Sequence, residues 1–142
     1  MKSFQKIALA ALFVMAIVSC SKVEKILVKQ DGTWKVTSSV TRLYINNQLT
    51  QTTTSNGFTE VYTFEKDGTG KVTEVNVSLA FTWTISADQD EIVICYESQG
   101  ATTCVASTIL ESEKNKQVWT STSKEPGDVD WGESDNTYER VD

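Results

Sequence analysis

The chain has 142 residues, 19 of them acidic and 13 basic, giving a net charge of −6 at pH 7, and it has no histidine. That length suits one domain and is too short for two ordinary cores, and an acidic balance without a Lys/Arg cluster argues against nucleic acid or an anionic lipid surface as partner. The absence of histidine removes the commonest general base and any histidine-ligated metal or haem site.

Lys2 and Lys6 form a positive flank to an apolar run of 12 residues, 7–18. A bilayer needs about 20 apolar residues, so this run is too short to span one and has the length of a signal-peptide h-region. It ends in Ile17-Val18-Ser19-Cys20, which resembles the lipobox of bacterial lipoproteins. The resemblance implies that residues 1–19 are a cleaved signal peptide and that Cys20 carries a diacylglyceryl group on its thiol and an acyl group on its amine. Two or more chains anchor a protein firmly, so the expected location is the bacterial cell envelope, lipid-anchored. Ser21, rather than an aspartate, follows the cysteine, which by analogy with lipoprotein sorting favours the outer membrane. The alternative is an ordinary secretory signal that happens to end in cysteine. Loss of residues 1–19 removes Lys2 and Lys6 and no acid, taking the net charge from −6 to −8.

Residues 20–30 then form a lipidated tether, in which Val23, Ile26 and Leu27 are spaced for one or two helical turns. From residue 31 the pattern becomes alternation broken by turn signals. "TWKVTSSVTRLYI" sets Trp34, Val36 and Val40 on one face, and residues 46–56, polar and without alternation, read as a long loop. "GFTEVYTFE" groups Phe58, Tyr62 and Phe64 ahead of the hairpin turn Lys66-Asp67-Gly68-Thr69-Gly70, where Asp-Gly supplies positive φ. "KVTEVNV", "LAFTWTIS", "EIVICYE", "TTCVASTIL", "QVWTSTS" and "NTYERV" follow. Eight strands at regular spacing, with no room for crossover helices, predict an all-β fold. The expected architecture is an eight-stranded antiparallel up-and-down barrel, closed so that no edge is left open.

Of the three cysteines, Cys20 is assigned to lipid, which leaves Cys95 and Cys104 for each other in an oxidising compartment. A two-residue turn at Gln99-Gly100 sets these two directly opposite in a hairpin, close enough for a disulfide. Two free buried thiols or a redox pair are the alternatives, although the Cys-x-x-Cys spacing of redox pairs is absent.

Gly32-Thr33-Trp34 resembles the G-x-W signature at the first strand of lipocalins. Together with "YTFEKDGTG", "FTWTIS" and the terminal "YERV", it makes residues 31–142 similar to the lipocalin-like domains of small bacterial lipoproteins. The resemblance implies that Trp34 plugs the closed end of the barrel and that Arg140 lies across its ring, a cation–π contact. A core tryptophan without an arginine partner is the alternative. The strands are short and the usual C-terminal helix is missing, so the barrel is expected either to be filled by side chains or to hold one small ligand.

Alternation assigns Tyr62, Phe64, Phe81, Trp83, Ile92, Ile94 and Val105 to the interior, either as a ligand lining with Tyr62 and Trp83 as polar handles, or as core. Asp128, Asp130 and Glu139 match the first, third and twelfth positions of a calcium loop. The sixth, where such loops need glycine, is Glu133, so no metal is expected there. No G-x-S-x-G, phosphate-cradling loop or reactive cysteine motif is present, so neither catalysis nor a cofactor is expected. The functional expectation is an envelope lipoprotein that binds a small hydrophobic or amphipathic molecule in its barrel. The alternative is a packed barrel acting through its loops, residues 46–56 and 124–135, as an accessory or inhibitor module for another envelope protein.

Overall fold

The computed structural model describes residues 22–141; the signal peptide and the acylation expected at Cys20 lie outside the described residues. A short helix, α1 (Lys22–Leu27), and a 3-10 turn (Gln30–Gly32) lead into nine strands. These are β1 (Thr33–Ile45), β2 (Gln48–Asn56), β3 (Val61–Phe64), β4 (Thr69–Glu74), β5 (Val77–Ile85), β6 (Glu91–Ser98), β7 (Ala101–Ser112), β8 (Lys116–Thr122) and β9 (Trp131–Arg140). Strands β3 to β9 pair antiparallel in chain order, and β1 joins β3 to β9 to close an eight-stranded barrel. The expected fold class is the observed one.

The segment 46–56 departs from expectation. Residues 46–56, read as a loop, form a turn and the strand β2. Thr33, Trp34 and Lys35 of β1 pair with β3, while residues 38–45 pair with β2, so β2 and β3 follow one another along the same edge of β1. The signal was absent because all nine residues of β2 are exposed, and a strand with no buried face carries no hydrophobic alternation. What makes it a strand is threonine-rich sequence and the turn before it. Asn46 and Asn47 both hold positive φ (51° and 59°), the geometry of a tight two-residue hairpin.

The face expected for Val40 is also corrected. The β1–β9 register shifts between Val36 and Ser38, and one extra residue in a strand swaps the faces beyond it. Trp34 and Val36 therefore point inward, whereas beyond the bulge Thr41 points inward and Val40 and Arg42 point out. Arg42 there bridges Glu133 at 3.0 Å and Asp135 at 2.7 Å on the outer face.

The other turns follow their sequence signals. Asp67 Oδ1 accepts from the Thr69 amide at 3.0 Å and the Thr69 hydroxyl at 2.6 Å, and Gly68 has φ 82°. Gln99 and Gly100 both have positive φ and leave Cys95 opposite Cys104, which are joined as a disulfide. The core sits toward one end. Trp34, Trp119, Phe64, Leu27 and Ile92 are its largest fully enclosed apolar side chains, and α1 lies over them with Val23 and Leu27 buried.

Candidate functional site

The closed end is built around Trp34. Its indole N–H donates to the Leu27 carbonyl at 2.9 Å, tying β1 to the end of α1. The Arg140 guanidinium carbon sits 4.3 Å from the centre of the Trp34 ring. Arg140 also donates to three backbone carbonyls: Ile26 at 2.6 Å, Lys114 at 2.9 Å, and Lys29. One side chain thus adds a charged donor to the Ile26 and Lys29 carbonyls, which already accept from the Lys29 and Gly32 amides, and holds the seal against the β7–β8 turn. Gly32 is required beside it. Its φ is +60°, and a Cβ there would run into the Phe64 carbonyl oxygen. The G-x-W motif is therefore a packing device: glycine admits β3, and tryptophan fills the space beneath α1.

Of the seven side chains assigned to the interior, five form core. Phe64, Phe81, Trp83, Ile92 and Ile94 are all buried. The Trp83 indole N–H, expected as a polar handle, donates to the Thr69 carbonyl at 2.9 Å and is used within the β4–β5 pair. Gly70, opposite Phe81, leaves the room that the Phe81 ring occupies. Gln117, fully buried among these aromatics, is satisfied by donating to the Glu113 carbonyl and accepting from the Trp119 indole. This half of the barrel is full.

The other half is not. Tyr62 is half-buried and Val105 is 44 % exposed. Tyr62 packs at the edge of the core against Phe64, Phe81 and Tyr138, and Val105 lies across the open mouth of the barrel from it. On the β3–β6 side is a groove of about 360 Å³, walled by Tyr62, Val72, Val77, Leu79 and Tyr96, with Glu60 and Glu74 at its rim. That volume lies at the small end of ordinary ligand sites. The opposite side is polar, with Thr41 and Ser134 hydroxyls 3.0 Å apart and Ser121 beside them, and Val105 the apolar exception. The mouth is therefore amphipathic across its width.

Tyr62 and Tyr96 stand together on the wall of this groove. Burial, first, pushes the Tyr62, Tyr96 and Tyr138 phenols up from their ordinary value. The negative charge of Glu60 adds to this at Tyr62 and Tyr138. Glu60, Val72, Glu74, Val77, Leu79 and Tyr96 were not in the interior set drawn from sequence. Strand parity offered the signal, since Glu60, Tyr62 and Phe64 share a face, but charged residues in a strand ordinarily read as solvent-facing.

Three larger depressions have the wrong character for such a site, and the polar one of about 720 Å³ is lined by Gln30, Asp31, Thr33, Lys114, Asn115 and Val141. One of about 910 Å³ lies beside α1 and the β3–β4 turn and is lined mainly by charged residues, including Glu24, Lys25 and Asp67. Another, of about 470 Å³, reaches the edge of Phe81 but is otherwise formed mostly by outward positions of β4 to β6, including Lys71, Thr82 and Glu97.

Of residues 124–135, expected as loop, 131–135 instead belong to β9, paired to β1, and an aromatic stack stands where the loop meets the strand. Trp131 lies 3.8 Å from Tyr44, nearly parallel, with Lys124 Nζ 4.7 Å above its ring. Asn47 Oδ1 accepts from both the Trp131 indole and Lys124. The carboxylates of the calcium-like spacing are separated: Asp128 caps the Glu125 amide, Asp130 caps the Asn46 amide, and Glu139 lies opposite Lys35 and Lys116. Among the described residues no group of three or more metal-ligating side chains surrounds a common point.

No family model matches the chain, and no curated protein matches it.

Proposed function

We propose that this protein is a lipid-anchored lipoprotein of the bacterial outer membrane, resembling the lipocalins, whose barrel takes a small hydrophobic or amphipathic molecule at its open end. The observation that carries the binding is the division of the barrel. One half is filled by aromatics, while the other holds an apolar groove of about 360 Å³ facing a hydroxyl-lined wall. Apolar walls with a few convergent polar groups are the usual composition of a ligand site. The anchor rests on the lipobox-like Ile17-Val18-Ser19-Cys20 behind a short apolar run. We assign the protein no catalysis.

Native mass spectrometry of the protein extracted from its own cells tests both parts. The expected result is a chain starting at Cys20, heavier by its acyl groups, with a further mass of ligand size that is lost on denaturation. An unmodified Cys20 removes the anchor. A chain and acyl mass alone favours the second reading, in which the protein docks a partner protein through its loops. The observation behind that reading is the exposed ledge at the β1–β2 tip, where Leu49 and Val129 lie near the Tyr44–Trp131 stack.

A further inference from the structure

The groove has a sign. Glu60 precedes β3 and Glu74 ends β4, one register step beyond the Val61–Thr73 pair, so the two carboxylates face each other across the rim on the inner side. Glu60 shares the inward face of Tyr62 and Phe64, and its charge is felt at the Tyr62 and Tyr138 hydroxyls inside the barrel. Thr59 donates to Glu74 at 3.5 Å. None of the salt bridges among the described residues includes either glutamate, and no lysine or arginine lines the groove. Like charges directly opposed on one face of a sheet destabilise it. A cation placed between them turns that repulsion into attraction.

Depth decides what kind of cation. Below the glutamates come Tyr62, Val72, Leu79 and Tyr96, and the buried Phe81 ring packs behind the two tyrosines. A bare metal ion would meet only two carboxylates above an apolar well, fewer oxygens than hard cations require. An organic ammonium fits both levels: its apolar body lies on the aliphatic and aromatic wall, and its charged head sits between Glu60 and Glu74. Aromatic faces attract such heads further, since the ring quadrupole favours a cation and an alkylated ammonium is cheap to desolvate. We infer that the groove selects cationic amphiphiles, molecules with an amine or quaternary ammonium head on a short apolar body. This rests on the barrel-mouth reading above and adds the ligand's charge to it.

The test compares three probes sharing one tail: hexyltrimethylammonium, 1-hexanol and hexanesulfonate, titrated calorimetrically into the full chain. The cation is expected to bind at least tenfold more tightly than the sulfonate, with the alcohol between them. Joint Glu60→Gln and Glu74→Gln substitution should bring the cation to within about threefold of the alcohol and leave the alcohol unchanged. Glu74→Lys, at an exposed rim position that tolerates change, should turn the preference toward the sulfonate. Equal binding of all three probes, or a cation preference that survives both variants, overturns the charge assignment and leaves a groove for apolar ligands. Binding of none of the three overturns the charge assignment and the mouth as a ligand site together.

Discussion

Arg140 acts as a staple because its planar fork of donors meets three carbonyls from two separate segments, the end of α1 and the β7–β8 turn, while its face lies on Trp34. Replacing it with methionine keeps much of the side-chain volume but leaves the carbonyls of Ile26, Lys29 and Lys114 without this donor. Hydrogen bonds from a charged donor contribute about 1.5–3 kcal/mol, and the ring contact somewhat less, so Arg140→Met should lower unfolding stability by about 2–4 kcal/mol. A urea titration followed by far-ultraviolet circular dichroism reads this. A midpoint unchanged from the parent would mean that Trp34 packing alone seals the end. The pairing was legible in the sequence only through the lipocalin resemblance, because 106 positions separate the two residues. The carbonyl partners were not legible at all, since backbone acceptors carry no residue identity.

Hairpins show how much turn chemistry alone specifies. Asn46-Asn47 and Gln99-Gly100 adopt positive φ with residues suited to it, or with one that is, and each brings its strands into register. The β4–β5 turn is different. Val75 sits at φ 51° and is 77 % exposed, so a β-branched residue holds a left-handed conformation without burial to offset it. That conformation costs an L-residue about 1–2 kcal/mol, less for asparagine. Val75→Asn should therefore raise stability by about 1 kcal/mol, measured as a shift of the urea midpoint at constant slope; destabilisation would show that the Val75 side chain has a packing partner. The β2 strand teaches the converse. Its pairing is backbone-led, so period-two reading of side chains passed over it, while the same reading succeeded for β5 and β6, whose inner faces are buried.

Across the whole molecule, three phenols share one interior with the Glu60 charge at its rim. Tyr62, Tyr96 and Tyr138 all keep their protons more strongly in the folded state, burial being the largest cause. In the unfolded chain they ionise near pH 10, so above that pH the native state binds more protons than the unfolded one and stability falls as pH rises. The stabilising contribution of the protonated phenols is complete below pH 10. Spectrophotometric titration at 295 nm should show most of the tyrosinate signal appearing together with loss of the near-ultraviolet dichroism. Smooth ionisation of all tyrosines near pH 10 with the fold intact would mean that water reaches the interior freely. The disulfide across β6 and β7 closes a loop of about ten residues and should contribute roughly 2.5–3 kcal/mol, holding a hairpin at the mouth whose strand ends are otherwise exposed.

By itself the sequence determined the class and the local geometry. Period-two alternation, the Asp-Gly and Gln-Gly turns and the even spacing of strands specified an antiparallel barrel, because each is a short-range consequence of backbone sterics and of one buried face. The same local arithmetic placed Cys95 opposite Cys104. Tertiary structure decided which inward residues became core and which became site. Phe64, Phe81, Trp83, Ile92 and Ile94 look like Tyr62 and Val105 in any linear pattern, yet α1 covers one end of the barrel and nothing among the described residues covers the other. The height of a residue along the barrel axis depends on bulges, strand ends and the cap, which are set by pairing between distant segments. The β3–β4 hairpin sets Glu60 opposite Glu74 by local register, but only closure of the barrel makes the face they share the rim of an aromatic groove.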